Sequence, residues 1–153
     1  SFEILKKNLK LNNLTNVKSF HIAISKVTEQ ITLYIDKKNQ IGNSIFKTDE
    51  TIESEKVESF NLKDFVKTNK IEKIDFLKID CEGAEFEILL NFDKELMKKI
   101  NKISAEVHEN SNTYSLDKLV DFLKENNFKV STSNMSNNST MKLSMLYAEN
   151  KEI

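Results

Sequence analysis

The chain has 153 residues, the size of one domain, and at 39% apolar residues it can bury a core of its own without disulfide staples, which a lone Cys81 could not supply. A formal net charge of −1, with lysines spread along the whole chain, excludes the basic footprint of a nucleic-acid binder or of a protein held on an anionic membrane. Gly42 and Gly83 are the only glycines, too few for a GxGxxG or GxxxxGK[ST] phosphate loop.

Phe2, Leu5 and Leu9 recur at helical spacing among lysines, and Asn12-Asn13 ends the pattern, which predicts an amphipathic helix of about three turns. From Val17 to Ile24 the side chains alternate, as a strand requires, and Ile31, Leu33 and Ile35 repeat the alternation after the polar turn from Ser25 to Glu29. A hairpin between these two strands is expected. A polar linker runs through Gly42 to Glu55, Val57 to Asn61 reads as one more short strand, and Asn61 is placed to cap a helix carrying Leu62, Phe65 and Val66.

Ile74 to Ile79 is a compact apolar run ending in Asp80; beyond Gly83 the pattern turns helical with Phe86, Leu89 and Leu90. Strand, sharp turn and helix follow from that change of period. A helical stretch with Leu96, Met97 and Ile100 leads to a strand bearing Ile103, Ala105 and Val107, and Ser115 caps a helix with Leu116, Leu119, Val120 and Leu123. Phe128 to Ser131 and Leu143 to Ala148 close the chain as an antiparallel pair joined by a polar loop from Thr132 to Met141. The alternation of strands and helices predicts an α/β domain with a mostly parallel sheet covered on both faces. No apolar run is long enough to span a membrane and no charged-then-apolar leader opens the chain, so a cytoplasmic location is expected.

In open α/β sheets, ligands bind at the carboxyl ends of the strands. Two such ends carry chemistry here: Asp80-Cys81-Glu82-Gly83-Ala84-Glu85, and Ala105-Glu106-Val107-His108, where alternation puts Glu106 and His108 on one face. An acid ending an apolar strand is costly unless it is bonded or serves a ligand, which singles out Asp80. Glu85 and Glu87 read instead as acids favouring the positive end of the following helix. Cys81 has no partner base in sequence and is set aside as a nucleophile. Asp80, Glu106 and His108 offer a donor set that a divalent ion such as Mg²⁺ or Mn²⁺ accepts.

The run Lys78-Ile79-Asp80-Cys81-Glu82-Gly83-Ala84-Glu85-Phe86-Glu87-Ile88-Leu89 resembles the FkbM family of S-adenosylmethionine-dependent methyltransferases. The opening Phe2-Glu3-Ile4-Leu5, the strand end Ala23-Ile24-Ser25, the Gly42-Asn43-Ser44 turn, the segment from Phe60 to Phe65 and Glu106-Val107-His108 look like that family in the same order. The resemblance implies a Rossmann-like methyltransferase fold, here incomplete, with the first two strands and the glycine-rich cofactor turn absent. It implies S-adenosylmethionine as cofactor, held in part by Ala23, Ile24, Ser25 and Asp80, and a catalytic mouth of Asp80, Glu82, Glu106 and His108.

Methyl transfer to a sugar or small-metabolite hydroxyl needs alignment of oxygen and methyl and removal of a proton. Asp80 or His108 is the base, unless a metal held by the same acids activates the hydroxyl. Without the absent strands, strand four is expected to lie at an open edge, and the chain alone is expected to bind the cofactor weakly or not at all. The competing expectation is a non-catalytic α/β module, or inactive fragment, that binds a partner by the same edge.

Overall fold

In the computed structural model, residues 2–35, 53–109, 114–137 and 142–152 are described. Helix α1 (Phe2–Leu11) forms where the helical spacing predicts it, yet none of its residues is buried and Ile4, Leu5 and Leu11 are exposed. The strand expected from Val17 narrows to β1 (Ala23–Ile24). Phe20, upstream of it, packs edge-on against Phe65 with ring centroids 4.9 Å apart instead of entering a ladder.

Strand β2 (Gln30–Ile35) does not form a hairpin with β1. It pairs antiparallel with β3 (Glu53–Phe60) in the register Gln30↔Glu58, while β1 joins the other edge of β3 in parallel, Ala23↔Ser59. The turn chemistry explains the departure. Ser25 Oγ accepts from Val27 N–H at 3.2 Å and Ser59 Oγ donates to Ser25 Oγ at 2.7 Å, so the residues after β1 are bonded into a local turn and onto β3. The Gly42-Asn43-Ser44 turn and the linker as far as residue 52 lie outside the described residues.

Asn61 caps helix α2 (Leu62–Thr68) as predicted, its side chain accepting from Asp64 N–H at 2.8 Å. Strand β4 (Ile74–Ile79) is followed by α3 (Glu85–Leu89) and α4 (Lys94–Met97), then by β5 (Ile100–Glu109), longer than the alternation alone indicates. Helix α5 (Leu116–Glu125) carries its Ser115 cap. Strand β6 (Phe128–Asn137) runs well into the stretch expected as a loop, and pairs antiparallel with β7 (Lys142–Asn150) across a register shift between Asn134 and Ser136.

The described strands make two sheets, β1-β3-β2 and β4-β5-β7-β6. Only β1 with β3 and β4 with β5 are parallel; the other pairs are antiparallel, so the single, mostly parallel sheet is not what forms. The antiparallel closing pair is present.

Alternation along the larger sheet sends Ile103, Ala105, Val107, Leu146 and Ala148 into the core with Phe86, Leu89, Leu96, Leu119, Leu123 and Phe128. Burying each large apolar side chain contributes roughly 1.5–3 kcal/mol. The alternate side is not covered along its length: Phe76 is 60% and Tyr147 47% exposed, beside the exposed Lys102–Glu149 pair. Asn150, at the end of β7, donates to both Met97 O and Ile100 O, pinning the junction of α4 and β5. No helix among the described residues is long and apolar enough to cross a membrane.

Candidate active site

The turn after β4 sets the site. Glu82 sits at φ 50° and Gly83 at φ 104°, a left-handed pair that reverses the chain between strand and helix and that glycine adopts without steric penalty. This reversal turns the Glu85 side chain back under its own loop. Its carboxylate is fully buried and accepts from Cys81 N–H at 2.7 Å and from Gly83 N–H at 3.0 Å, so its charge is matched by oriented backbone donors. Glu85 is therefore not an acid placed for the helix dipole, as its position in sequence suggests, but the group around which the loop folds.

The same carboxylate reaches β5. His108, 5% exposed, places Nδ1 3.2 Å from Glu85 Oε1. Its Nε2 faces the opposite way, 3.7 Å from Glu82 Oε2 and 4.0 Å from Glu106 Oε1. Asp80 follows Ile79, whose ladder partner Ala105 precedes Glu106, so Asp80 and Glu106 lie side by side where β4 ends. Asp80 is not buried, however. Its side chain is 45% exposed and lies 3.5 Å from Lys78, so the desolvation argument that singled it out does not apply.

The structure thus gathers Asp80, Glu82, Glu106 and His108 at one mouth and adds Glu85 beneath them. Burial, with the Glu85 charge as a second cause, pushes the Cys81 thiol above its ordinary range, which agrees with setting it aside as a nucleophile.

Asp80, Glu85 and His108 each present a ligand atom within 4.8 Å of the others. The donor types suit Mg²⁺ or Mn²⁺, but Glu85 spends both oxygens on Cys81, Gly83 and His108 and is a poor free ligand. As a metal centre the group fits only in part.

Ala23, Ile24 and Ser25 stand apart from this mouth, in the other sheet. Ser25 N–H donates to Phe60 O at 3.0 Å and its hydroxyl is bonded to Ser59 and Val27, so its polar groups are already occupied. What links the two regions is Lys26, whose Nζ donates to Glu87 of α3 at 3.0 Å; that hydrogen bond holds the ammonium above its ordinary range. Tyr114, beyond β5, stacks on Phe86 of α3 with centroids 5.3 Å apart. Sequence reasoning did not single out Lys26 or Tyr114, since neither occupies a strand end or a motif.

The chain matches the Methyltransferase FkbM domain over residues 1–130. It belongs to the FkbM methyltransferase family. Strands β4 and β5 and the carboxylate mouth lie within the matched residues, whereas most of β6 and all of β7 lie beyond them. Part of this FkbM domain is also similar to the AMB antimetabolite synthetase AmbE of Pseudomonas aeruginosa, 38% identical over 64 residues, which is 40% of the chain and 3% of the synthetase. The chain therefore spans a small fraction of that curated relative. No solved structure matches.

Proposed function

We propose that this FkbM domain transfers a methyl group from S-adenosylmethionine to a hydroxyl of a sugar or small metabolite, with His108 as the base. One observation carries the reading: a buried imidazole, held at Nδ1 by a carboxylate that backbone donors fix in place, presents Nε2 to the mouth of a methyltransferase-family site. The β4-β5-β7-β6 order, parallel at one edge and antiparallel at the other, supports reading the sheet as the carboxyl half of a Rossmann-like fold.

The residues at the mouth suit the cofactor. Asp80, Glu82, Glu85 and Glu106 surround one imidazole, an excess of negative charge that favours a sulfonium cation. Asp80 would hold it there. Bound S-adenosylmethionine supplies an electrophilic methyl group.

The chain's own groups do the rest. Glu85 accepts from Nδ1–H and so leaves Nε2 as the free acceptor of the ring. His108 Nε2 takes the hydroxyl proton as the oxygen acquires the methyl, and the Glu85 carboxylate faces the positive charge the ring then carries. Glu82 and Glu106 flank Nε2 without bonding it, and they orient the acceptor hydroxyl toward it.

The test is methyl transfer from labelled S-adenosylmethionine to a panel of glycosides and hydroxylated metabolites by the protein that carries this chain. His108→Asn is expected to lower turnover by about 10²–10⁴-fold with little change in cofactor affinity. Full activity in His108→Asn would remove the base. Absence of both transfer and cofactor binding in the parent would favour a non-catalytic module.

A further inference from the structure

Strand β2 is an edge of the first sheet: β3 lies on one side of it and, among the described residues, no strand lies on the other. One bond shows which of its backbone groups face outward. Ser59 N–H donates to Glu29 O at 2.9 Å, so in the register Gln30↔Glu58 the odd-numbered Ile31 and Leu33 exchange bonds with β3 and the even-numbered residues turn away from it. Gln30, Thr32 and Tyr34 therefore present three N–H and three C=O groups at the open edge. A cleft of about 390 Å³ is lined by these three and also by Ile31 of the opposite face, so the open space runs along the edge of the strand.

Sheet proteins ordinarily protect such an edge by shortness, by charge or by a bulge. Each of the other edges here has one of these devices. β1 has two residues, β4 carries Asp75 and Lys78, and β6 carries Lys129 and a register shift. The sequence of β2, Gln-Ile-Thr-Leu-Tyr-Ile, has none of them and is rich in residues that favour strands.

We propose that β2 pairs antiparallel with β2 of a second copy of this chain, joining two three-stranded sheets into one continuous sheet. The register identifies the occupant. A two-fold axis at Thr32 sets Thr32 against Thr32 of the second copy and Gln30 against Tyr34 of the second copy, which gives every outward N–H and C=O a partner. Registers displaced to either side leave Gln30 or Tyr34 facing beyond the end of the opposite strand. The same axis lays Ile31 beside Leu33 of the second copy, pairs Thr with Thr, and sets no charge against its like. The strand is thus complementary to itself, as a closed two-fold contact requires. Few residues take part on each side, so the dimer is weak and reversible, with Kd on the order of 10–100 μM.

The test uses the protein that carries this chain, without methyl donor, so its outcome is independent of the proposed reaction. Sedimentation equilibrium is expected to show a monomer–dimer equilibrium in that range. Thr32→Pro removes an N–H that faces away from β3, and Thr32→Lys sets like charges across the axis; each is expected to weaken the dimer at least tenfold while circular dichroism stays that of the parent. Disulfide trapping reads the register. Thr32→Cys is expected to cross-link, because facing Cα atoms of a bonded pair lie about 5.5 Å apart, whereas Gln30→Cys, offset from its own copy by about 13 Å along the strands, is expected to give no more dimer than the parent with its Cys81. The proposal is overturned if the protein is monomeric at several times 100 μM, if both Thr32 variants dimerise like the parent, or if Gln30→Cys cross-links as readily as Thr32→Cys.

Discussion

Glu85 carries more of this site than any residue exposed at its mouth. Removing its carboxylate leaves Cys81 N–H and Gly83 N–H without acceptors in a buried turn and releases His108 Nδ1. At about 1–3 kcal/mol for each buried group left unpaired, Glu85→Ala is expected to cost ~3 kcal/mol or more in urea unfolding, and Glu85→Gln, which keeps one acceptor oxygen, clearly less. A Glu85→Ala midpoint equal to the parent's would show that the loop folds without it.

Cys81 makes a separate prediction. Its thiol is held above the ordinary value of 9.0 by burial, so the native state keeps a proton that the unfolded chain loses first. Stability is therefore expected to fall as pH rises beyond 9.0, and alkylation at pH 8 to be much slower in native than in urea-unfolded protein. Rapid native alkylation would contradict the burial. Asp80, Glu106 and His108 could be read from the chain because strand alternation and strand ends place side chains by counting alone. The role of Glu85 could not, because burial of an acid at a helix start depends on a left-handed turn and a partner on a strand more than twenty residues away.

Local signals fixed the helices at the scale of elements and left the strands underdetermined. Asn61, Asp93 and Ser115 each accept from the backbone N–H three residues on, and for Asn61 and Ser115 this was foreseeable from residue type and the apolar spacing that follows. Asn61 is also bonded to Asp64, which Thr28 reaches at 2.6 Å, so this cap ties α2 to the turn before β2. Asn61→Ala is expected to cost about 1 kcal/mol, and more than Ser115→Ala, whose cap bond is longer at 3.4 Å. Equal losses in chemical denaturation would argue against the tie to Thr28. Strand partners were not foreseeable in the same way. The alternation of Ile31, Leu33 and Ile35 marks a strand but says nothing about whether β1 or β3 lies beside it; Ser59, which donates its N–H to Glu29 O and its hydroxyl to Ser25, holds β3 between the two.

At the scale of the molecule, two acids among the described residues, Asp64 and Asp93, are held below the ordinary carboxylate value of 3.8, the first chiefly by the Thr28 hydroxyl and the second by the Lys63 ammonium. Their native state binds protons less readily than the unfolded chain. Their contribution is thus present above pH 3.8 and is lost as pH falls through the depressed values, which acid titration of Asp93→Asn against the parent will show as a shallower decline. Strand β4 is an edge of the larger sheet, and Phe76 on it is 60% exposed. Such an edge invites pairing with another chain, so Phe76→Lys is expected to reduce concentration-dependent association measured by sedimentation velocity. An unchanged sedimentation profile would locate any association elsewhere.

The order β4-β5-β7-β6 has one more outcome, during synthesis. β7 lies between β5 and β6, so neither has its ladder partner on that side until the segment from Lys142 to Asn150 has left the ribosome. Earlier in translation β6 has nothing to hold it in the sheet, and Leu146 and Ala148 have not yet joined the core. A nascent chain stalled before β7 should remain protease-sensitive and in need of chaperone shelter, and the larger sheet should close only after β7 has been made.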